Sequence, residues 1–170
     1  VQLKATSLNH LDLWVRQGIP GWTIPLPLIP GCDGAGAVVS TGAGVKDLRA
    51  GDKVVVVPNL CCGVCNFCQD GMDTFCPEYG IVGEHANGCD AEYICLPRRN
   101  FVPIPKHLSF EEAAAVPLVF MTAWSMLVTK AQVKPESFVL IWAGGSGVGT
   151  AAIQIAKLFG ATVIATAGSD

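Results

Sequence analysis

The stretch Phe138-Val139-Leu140-Ile141-Trp142-Ala143-Gly144-Gly145-Ser146-Gly147-Val148-Gly149 runs from five apolar residues straight into a glycine-rich turn. An apolar run of that length without alternation reads as a strand of a covered parallel sheet. Beyond the turn, Val148, Ala151, Ala152, Ile155 and Phe159 recur at helical spacing on one face. Gly160 stands where a helix takes a left-handed cap residue, and Thr162 to Thr166 is a second apolar strand. Strand, turn, helix and strand within about thirty residues make one βαβ unit.

A glycine turn in that setting lets the backbone approach a pyrophosphate, whose charge the helix N-terminus stabilises. The spacing Gly144-x-Ser146-x-x-Gly149 departs from G-x-G-x-x-G at its middle position, and the overlapping Gly145-x-Gly147-x-Gly149 has the wrong spacing. The turn alone fits either a ligand-free tight turn or a dinucleotide loop; the βαβ context favours the second. Gly144, Gly145, Ser146, Gly147, Val148 and Gly149 are then the candidate cofactor-binding residues. An acidic residue at the tip of the second strand would bond the ribose 2'-hydroxyl of NAD. Ala167 occupies that position, followed by Gly168 and Ser169. This small, neutral tip leaves room for a 2'-phosphate, so NADP(H) is preferred over NAD(H), with Ala167 and Ser169 as contacts. A two-stranded parallel sheet would be exposed on both edges. Further strands are expected beyond Asp170, and the missing initiator methionine at Val1 likewise predicts a piece of a longer protein.

Working towards the N-terminus, Ser109-Phe110-Glu111-Glu112 is a capping box, preceded by Leu108 as an apolar staple. The short helix it opens stops at Pro117, which suits the first turn of a second helix running to about Lys130. The uncharged segment from Ala113 to Val128 is too short to span a bilayer comfortably and carries Pro117, Thr122 and Ser125. From Val1 to about Pro105, short β-branched runs such as Ala35–Ser40 and Lys53–Val57 alternate with glycine and proline turns. Val54–Val57 lacks alternation and predicts a strand covered on both faces.

Residues 60 to 80 show little periodicity but hold Cys62-x2-Cys65-x2-Cys68-x7-Cys76. Four thiolates suit tetrahedral zinc, and a full shell makes that zinc structural, in place of a hydrophobic core. An iron–sulfur run has a final gap of three residues rather than seven; four unliganded thiols, or a redox pair, would also be compatible with the cysteine count. Cys32, Cys61, Cys89 and Cys95 fall outside the pattern and read as packing cysteines. Hydrophobic residues make up 51% of the 170 and charged ones 15%, which excludes a disordered chain. The net charge of -3 carries no basic run, which argues against nucleic acid and anionic membranes as partners. Crowding four of eight cysteines into one lobe fits a metal site in a reducing cytoplasm better than disulfides.

Pro30-Gly31-Cys32-Asp33-Gly34-Ala35-Gly36 with Val38, Gly51-Asp52-Lys53-Val54, Ala91-Glu92-Tyr93 and Ala143–Gly149 together resemble the medium-chain alcohol dehydrogenase and quinone oxidoreductase superfamily. The resemblance covers essentially the whole chain. It implies an α/β plus β fold: a GroES-like, barrel-like catalytic domain over 1–105 with a zinc lobe at about 60–80. Linking helices and the first βαβ unit of a Rossmann doubly wound domain would follow over 106–170.

Zinc alcohol dehydrogenases of that superfamily set a cysteine, the histidine of Gly-His-Glu and a further cysteine around an open catalytic zinc. The matching positions here are Asn9, Cys32 and Leu118, with Asp33 in place of the glutamate. Leucine cannot ligate, asparagine is a poor zinc ligand, and Cys32 alone cannot hold the ion. A substituted set of Cys32, Asp33 and His10 is the alternative. The resemblance therefore implies one structural zinc per chain and no catalytic zinc. Asn9, Asp12, Cys32 and Thr122 become the catalytic candidates, with Thr122 at the nicotinamide and His10 near the pyrophosphate. Asp12 reads equally as a buried structural residue, Cys32 as a small residue under a turn, and His10, like His85 and His107, as a surface histidine. The implied activity is NAD(P)H-dependent hydride transfer to an activated carbonyl, enone or quinone. Its rivals are a zinc-dependent alcohol dehydrogenase with substituted ligands, a non-catalytic nicotinamide-binding regulator, and a zinc-ribbon nucleic-acid binder that lacks basic surroundings. The implied setting is a cytoplasmic homodimer or homotetramer acting on a small molecule.

Overall fold

The computed structural model describes residues Val1–Gly168, so the expectation for Ser169 lies outside the described residues. The chain divides into two compact units, one ending at Pro117 and the other beginning at Leu118. In the first, the elements run β1 (Gln2–Ser7), α1 (His10–Gln17), β2 (Asp33–Ala37), β3 (Lys53–Val56), β4 (Asn59–Leu60), α2 (Asn66–Gln69), β5 (Gly80–Ile81), β6 (Phe101–Pro103) and α3 (Phe110–Ala114). Strands β1, β2, β3 and β6 form an antiparallel sheet in that order, open rather than closed into a barrel. Its register sets Ala35 opposite Val55 and Val55 opposite Val102.

The apolar run of β3 does cover both faces, but unequally. Val54 and Val56 are fully buried with Val38, Leu48, Val82, Cys89, Ile94 and Phe101. Val55 is partly buried on the other side, against Ala35 and the Ala113–Ala114 end of α3. Each fully buried valine contributes about 1.5–3 kcal/mol. Helix α3 begins as its capping box predicts: Glu112 N donates to Ser109 Oγ at 3.1 Å, and Ser109 N donates to the Glu112 carboxylate at 2.8 Å. Lys53 Nζ lies 5.2 Å over the Phe110 ring, a cation–π contact between β3 and α3.

Helix α4 (Pro117–Trp124) starts at the proline, and its continuation over Ser125–Lys130 winds as a π-helix. The helical path thus reaches Lys130 as expected, with Ala123 of α4 and Leu127 of the wider turns in the core of the second unit. Strands β7 (Phe138–Ile141) and β8 (Thr162–Ala165) pair in parallel, Phe138 opposite Thr162 and Ile141 opposite Ala165. Between them α5 (Gly147–Leu158) buries Gly149, Ala151, Ala152, Ile155 and Ala156. Gly160 caps α5 in a Schellman arrangement: its N–H bonds the Lys157 carbonyl and that of Ala161 bonds the Ala156 carbonyl. Phe138, Leu140, Trp142 and Ile164 are exposed, as two strands alone predict. No described helix is long and apolar enough to cross a membrane.

Candidate metal centre and nucleotide loop

The cysteine lobe hangs from a narrow neck where β4 and β5 pair, Asn59 opposite Ile81 and Leu60 opposite Gly80. Inside the lobe are α2 and a single 3-10 turn at Asp73–Phe75. Val64, Phe67, Met72 and Phe75 are exposed, and Cys76 is the single buried residue between positions 61 and 79. No apolar core holds this segment, so its order must come from the sulfurs.

The four Sγ atoms of Cys62, Cys65, Cys68 and Cys76 all lie within 4.8 Å of one another, with Cys62 and Cys68 4.0 Å apart and Cys65 and Cys68 3.5 Å apart. A tetrahedral zinc with ligands at about 2.3 Å needs sulfur–sulfur edges of about 3.8 Å, so the set fits the ion. Backbone amides close around it: Gly63 N donates to Cys68 Sγ at 3.3 Å, Cys65 N to Cys62 Sγ at 3.3 Å, and Cys62 N and Glu78 N to Cys76 Sγ at 3.4 Å each. The Val64 and Cys65 amides lower the Cys62 thiol to about 6, favouring its thiolate, while desolvation pushes the Cys68 thiol far up. Gly63 has φ +75 and packs directly on the Arg99 guanidinium, where any Cβ would collide. Among the described residues, these four cysteines are the one group of three or more histidines, cysteines and acids placed to share an ion.

A second cluster surrounds the start of α1. Asn9 Nδ2 donates to Asp33 Oδ2 at 2.9 Å and to Cys32 Sγ at 3.4 Å; Ser7 Oγ donates to the same Asp33 oxygen at 3.3 Å. Asp12 is buried and uses both oxygens on backbone: Oδ2 accepts from Asn9 N at 2.7 Å and Oδ1 from Gly31 N at 3.2 Å. It ties the helix start to the turn before Cys32, the geometry of the structural alternative to its catalytic candidacy. Burial first, then the charges of Asp33 and Asp12, push the Cys32 thiol far up, so it remains protonated at neutral pH. His10 is exposed and stacks against Trp14 at 5.3 Å, and it does not group with Cys32 and Asp33 as a ligand set.

Three minor expectations change. Cys95 is exposed rather than packed, and Cys61 is half-buried against Arg99. His85 is not a free surface histidine, because its Nδ1 accepts from Ile81 N at 3.1 Å and its ring meets Trp22 edge-on. Cys32 and Cys89 are fully buried as expected, and burial pushes the Cys89 thiol up to about 12.

In the second unit the glycine loop is explained by its serine. Ser146 is the N-cap of α5, its Oγ accepting from Gly149 N at 3.0 Å. The first-turn amides of Gly147 and Val148 keep no intrahelical partner, as at every helix start. A Cβ on Gly149 would strike the Ala143 carbonyl oxygen, and one on Gly144 would come within 2.9 Å of Ala165 Cβ. Gly147 approaches Val119, whereas Gly145 faces open space. Thr166, which the sequence did not single out, anchors the loop to β8: its Oγ1 and carbonyl accept from Ala143 N at 3.0 Å and Gly144 N at 2.8 Å. A β-branched residue with a hydroxyl at the strand end was the available signal. Ala167 and Gly168 are exposed at the tip. Thr122 is exposed on α4, its hydroxyl donating to the Leu118 carbonyl at 2.8 Å.

Residues 1–106 match the family described as the alcohol dehydrogenase GroES-like domain. A zinc-type alcohol dehydrogenase-like protein of Schizosaccharomyces pombe is 39% identical over 100% of this chain and 48% of its own length. The crystal structure of an NAD-dependent alcohol dehydrogenase superposes with a TM-score of 0.95 at 57% identity, over 99% of this chain and 49% of that one. A cobalt- and zinc-bound thermostable alcohol dehydrogenase from Pyrobaculum aerophilum gives 0.87 at 35% identity, over 97% and 50%. The chain spans about half the length of these relatives.

Proposed function

The chain belongs to the alcohol dehydrogenase GroES-like domain family, and from that premise we propose that the intact protein is an NAD(P)H-dependent oxidoreductase with a structural zinc and no catalytic zinc. It reduces a small activated carbonyl, enone or quinone. Residues 1–105 form its GroES-like domain, and 106–170 supply linking helices and the first βαβ unit of its nucleotide-binding domain. Cys62, Cys65, Cys68 and Cys76 hold the structural zinc, which cross-links the lobe in place of a core.

The observation that carries the metal-free reading is the hydrogen-bonding at Asn9. Where a catalytic cysteine would ligate, the Asn9 amide is committed to Cys32 and Asp33. Leu118, at the third ligand position, has no donor atom. The nicotinamide supplies the hydride when bound. The chain's part is then to bind and orient: the Gly147 and Val148 amides at the start of α5 receive the pyrophosphate, with Gly144 and Gly149 allowing close backbone approach. Thr122 in the second unit presents its oxygen to the nicotinamide. Asn9 is held by Asp12 through its backbone, and its side-chain amide is aimed at Cys32 and Asp33. Reduction consumes one hydride and one proton from water per substrate.

The small tip at Ala167 supports NADP(H). The NAD-dependent relative at 57% identity favours NAD(H) as a second reading. A second reading of the metal also has support: relatives are named zinc-type or were crystallised with zinc and cobalt. Turnover of the intact protein on enones, quinones and alcohols, with NADPH and NADH, before and after chelation, separates these readings. Activity that survives chelator under conditions sparing the cysteine lobe supports the proposal. Activity lost on chelation and restored by zinc sinks it.

A further inference from the structure

Two peptide groups of the zinc lobe each have one end on a ligand sulfur and the other on Arg99. Cys62 N donates to Cys76 Sγ at 3.4 Å, and the carbonyl of the same peptide unit, that of Cys61, accepts from Arg99 Nη1 at 3.3 Å. Gly63 N donates to Cys68 Sγ at 3.3 Å, and the carbonyl of its unit, that of Cys62, accepts from Arg99 Nη2 at 3.2 Å. A trans peptide is planar and points its N–H and C=O in opposite directions, so a hold on the oxygen aims the nitrogen. Gly63 has φ +75, and the guanidinium fills the place that a Cβ there would take. Arg99 stands in a 3-10 turn, Arg98–Asn100, that leads into β6. Its neighbours anchor that turn. Arg98 bonds both carboxylate oxygens of Asp47 at 2.9 and 2.6 Å. Asn100, fully buried, donates from Nδ2 to the carbonyls of Val57 and Asn59 at 2.8 and 2.7 Å. The arginine therefore reaches the lobe from a fixed point on the sheet.

We propose that Arg99 is a positioning residue of the zinc centre: its two-pronged hold on the Cys61 and Cys62 carbonyls aims the following amides at the Cys76 and Cys68 sulfurs. The role rests on the zinc reading of the lobe. Two of the four ligand sulfurs thus take a hydrogen bond whose geometry one arginine sets. Cys65 N, which donates to Cys62 Sγ at 3.3 Å, lies outside this arrangement, because the carbonyl of its peptide unit, that of Val64, is held by Gln69 Nε2 at 3.1 Å instead. Charge points the same way. Four thiolates outweigh the charge of one zinc ion. The lobe adds Asp70, Asp73 and Glu78, and the sequence from Val54 to Pro97 has no lysine or arginine. A guanidinium on the 61–63 turn offsets part of that excess and, through two polarised peptides, strengthens the amide donors. Outer partners of this kind change metal affinity by about 10–100-fold. Arg99 is exposed to solvent, which sets its effect at the low end.

The test uses the intact protein and begins with zinc counted per chain of the parent; a parent without zinc overturns the zinc reading and this role with it. Arg99→Gln removes no ligand. It should keep its zinc, lower zinc affinity about tenfold in chelator competition, and unfold its sheet at nearly the parent temperature. Amide hydrogen exchange should rise at Cys62 and Gly63 while Cys65 stays protected, a pattern that general loosening of the lobe would not give. Gly63→Ala places a methyl group on the guanidinium and displaces it, so the double variant should lose less affinity than the two single losses combined. Backbone strain at position 63 is common to both backgrounds and cancels in that comparison. Affinity of Arg99→Gln within about threefold of a zinc-loaded parent, equal rises in exchange at Cys62, Gly63 and Cys65, or fully additive losses would each overturn the proposal while leaving the structural zinc in place.

Discussion

Replacing Cys76 by alanine tests whether sulfur stands in for a core in the lobe. Cys76 is its single buried residue between positions 61 and 79, and its sulfur accepts from the amides of Cys62 and Glu78. Small four-ligand structural sites bind zinc with about 10–16 kcal/mol. A quarter share is about 2.5–4 kcal/mol, which is about 10²- to 10³-fold in affinity. Two orphaned amides add to the loss. Val64, Phe67, Met72 and Phe75 are already exposed, so the Phe67–Phe75 ring contact at 6.0 Å compensates little. Chelator competition on the intact variant should therefore show that drop in zinc affinity, and limited proteolysis should cut first between residues 61 and 79. The four-stranded sheet, with its own core around Val54 and Val56, should unfold at nearly its original temperature. Zinc affinity within about threefold of the parent, with unchanged proteolysis, would refute the reasoning.

Further outcomes are expected in the second unit and among the buried thiols. Ser146→Ala removes the N-cap of α5 and should cost about 1 kcal/mol in thermal unfolding while weakening dinucleotide binding; unchanged stability and affinity would deny the serine its role. Gly149→Ala drives a methyl group into the Ala143 carbonyl and should lower dinucleotide affinity about tenfold or more by calorimetry, where an unaltered affinity counts against a close backbone approach. Alkylation of the folded protein at pH 8 should label exposed Cys95 and spare Cys89. Cys89 is fully buried and its thiol is pushed up to about 12, so at pH 8 almost none is thiolate. Rapid labelling of Cys89 before Cys95 would contradict that.

The βαβ unit was legible because its signals agree: an unbroken apolar strand, a glycine turn, a helical stripe and Gly160 as cap all demand the same connection. The cysteine spacing was legible for a similar reason, since four thiols in one short segment have few arrangements other than around a metal. The Asp12 carboxylate was harder to place. Its partners, the amides of Asn9 and Gly31, are backbone groups, and the Gly31 contact is long-range, so no side-chain pattern announces it. Ser146 looked like a flaw in a glycine motif because residue identity does not show that its hydroxyl would cap α5. Arg99 was invisible for a third reason: it reaches the 61–63 turn from 38 positions away in the chain. Pairings of that kind are set by the sheet that brings β6 to β3, not by local sequence.

The central claim is a structural zinc without a catalytic one, and zinc counted per chain of the intact protein by elemental analysis tests it most directly. One zinc per chain, abolished together with lobe order when the four cysteines are replaced, is the predicted result. Two per chain, the second surviving loss of the lobe cysteines and removed by changes at Cys32 or Asp33, would contradict it.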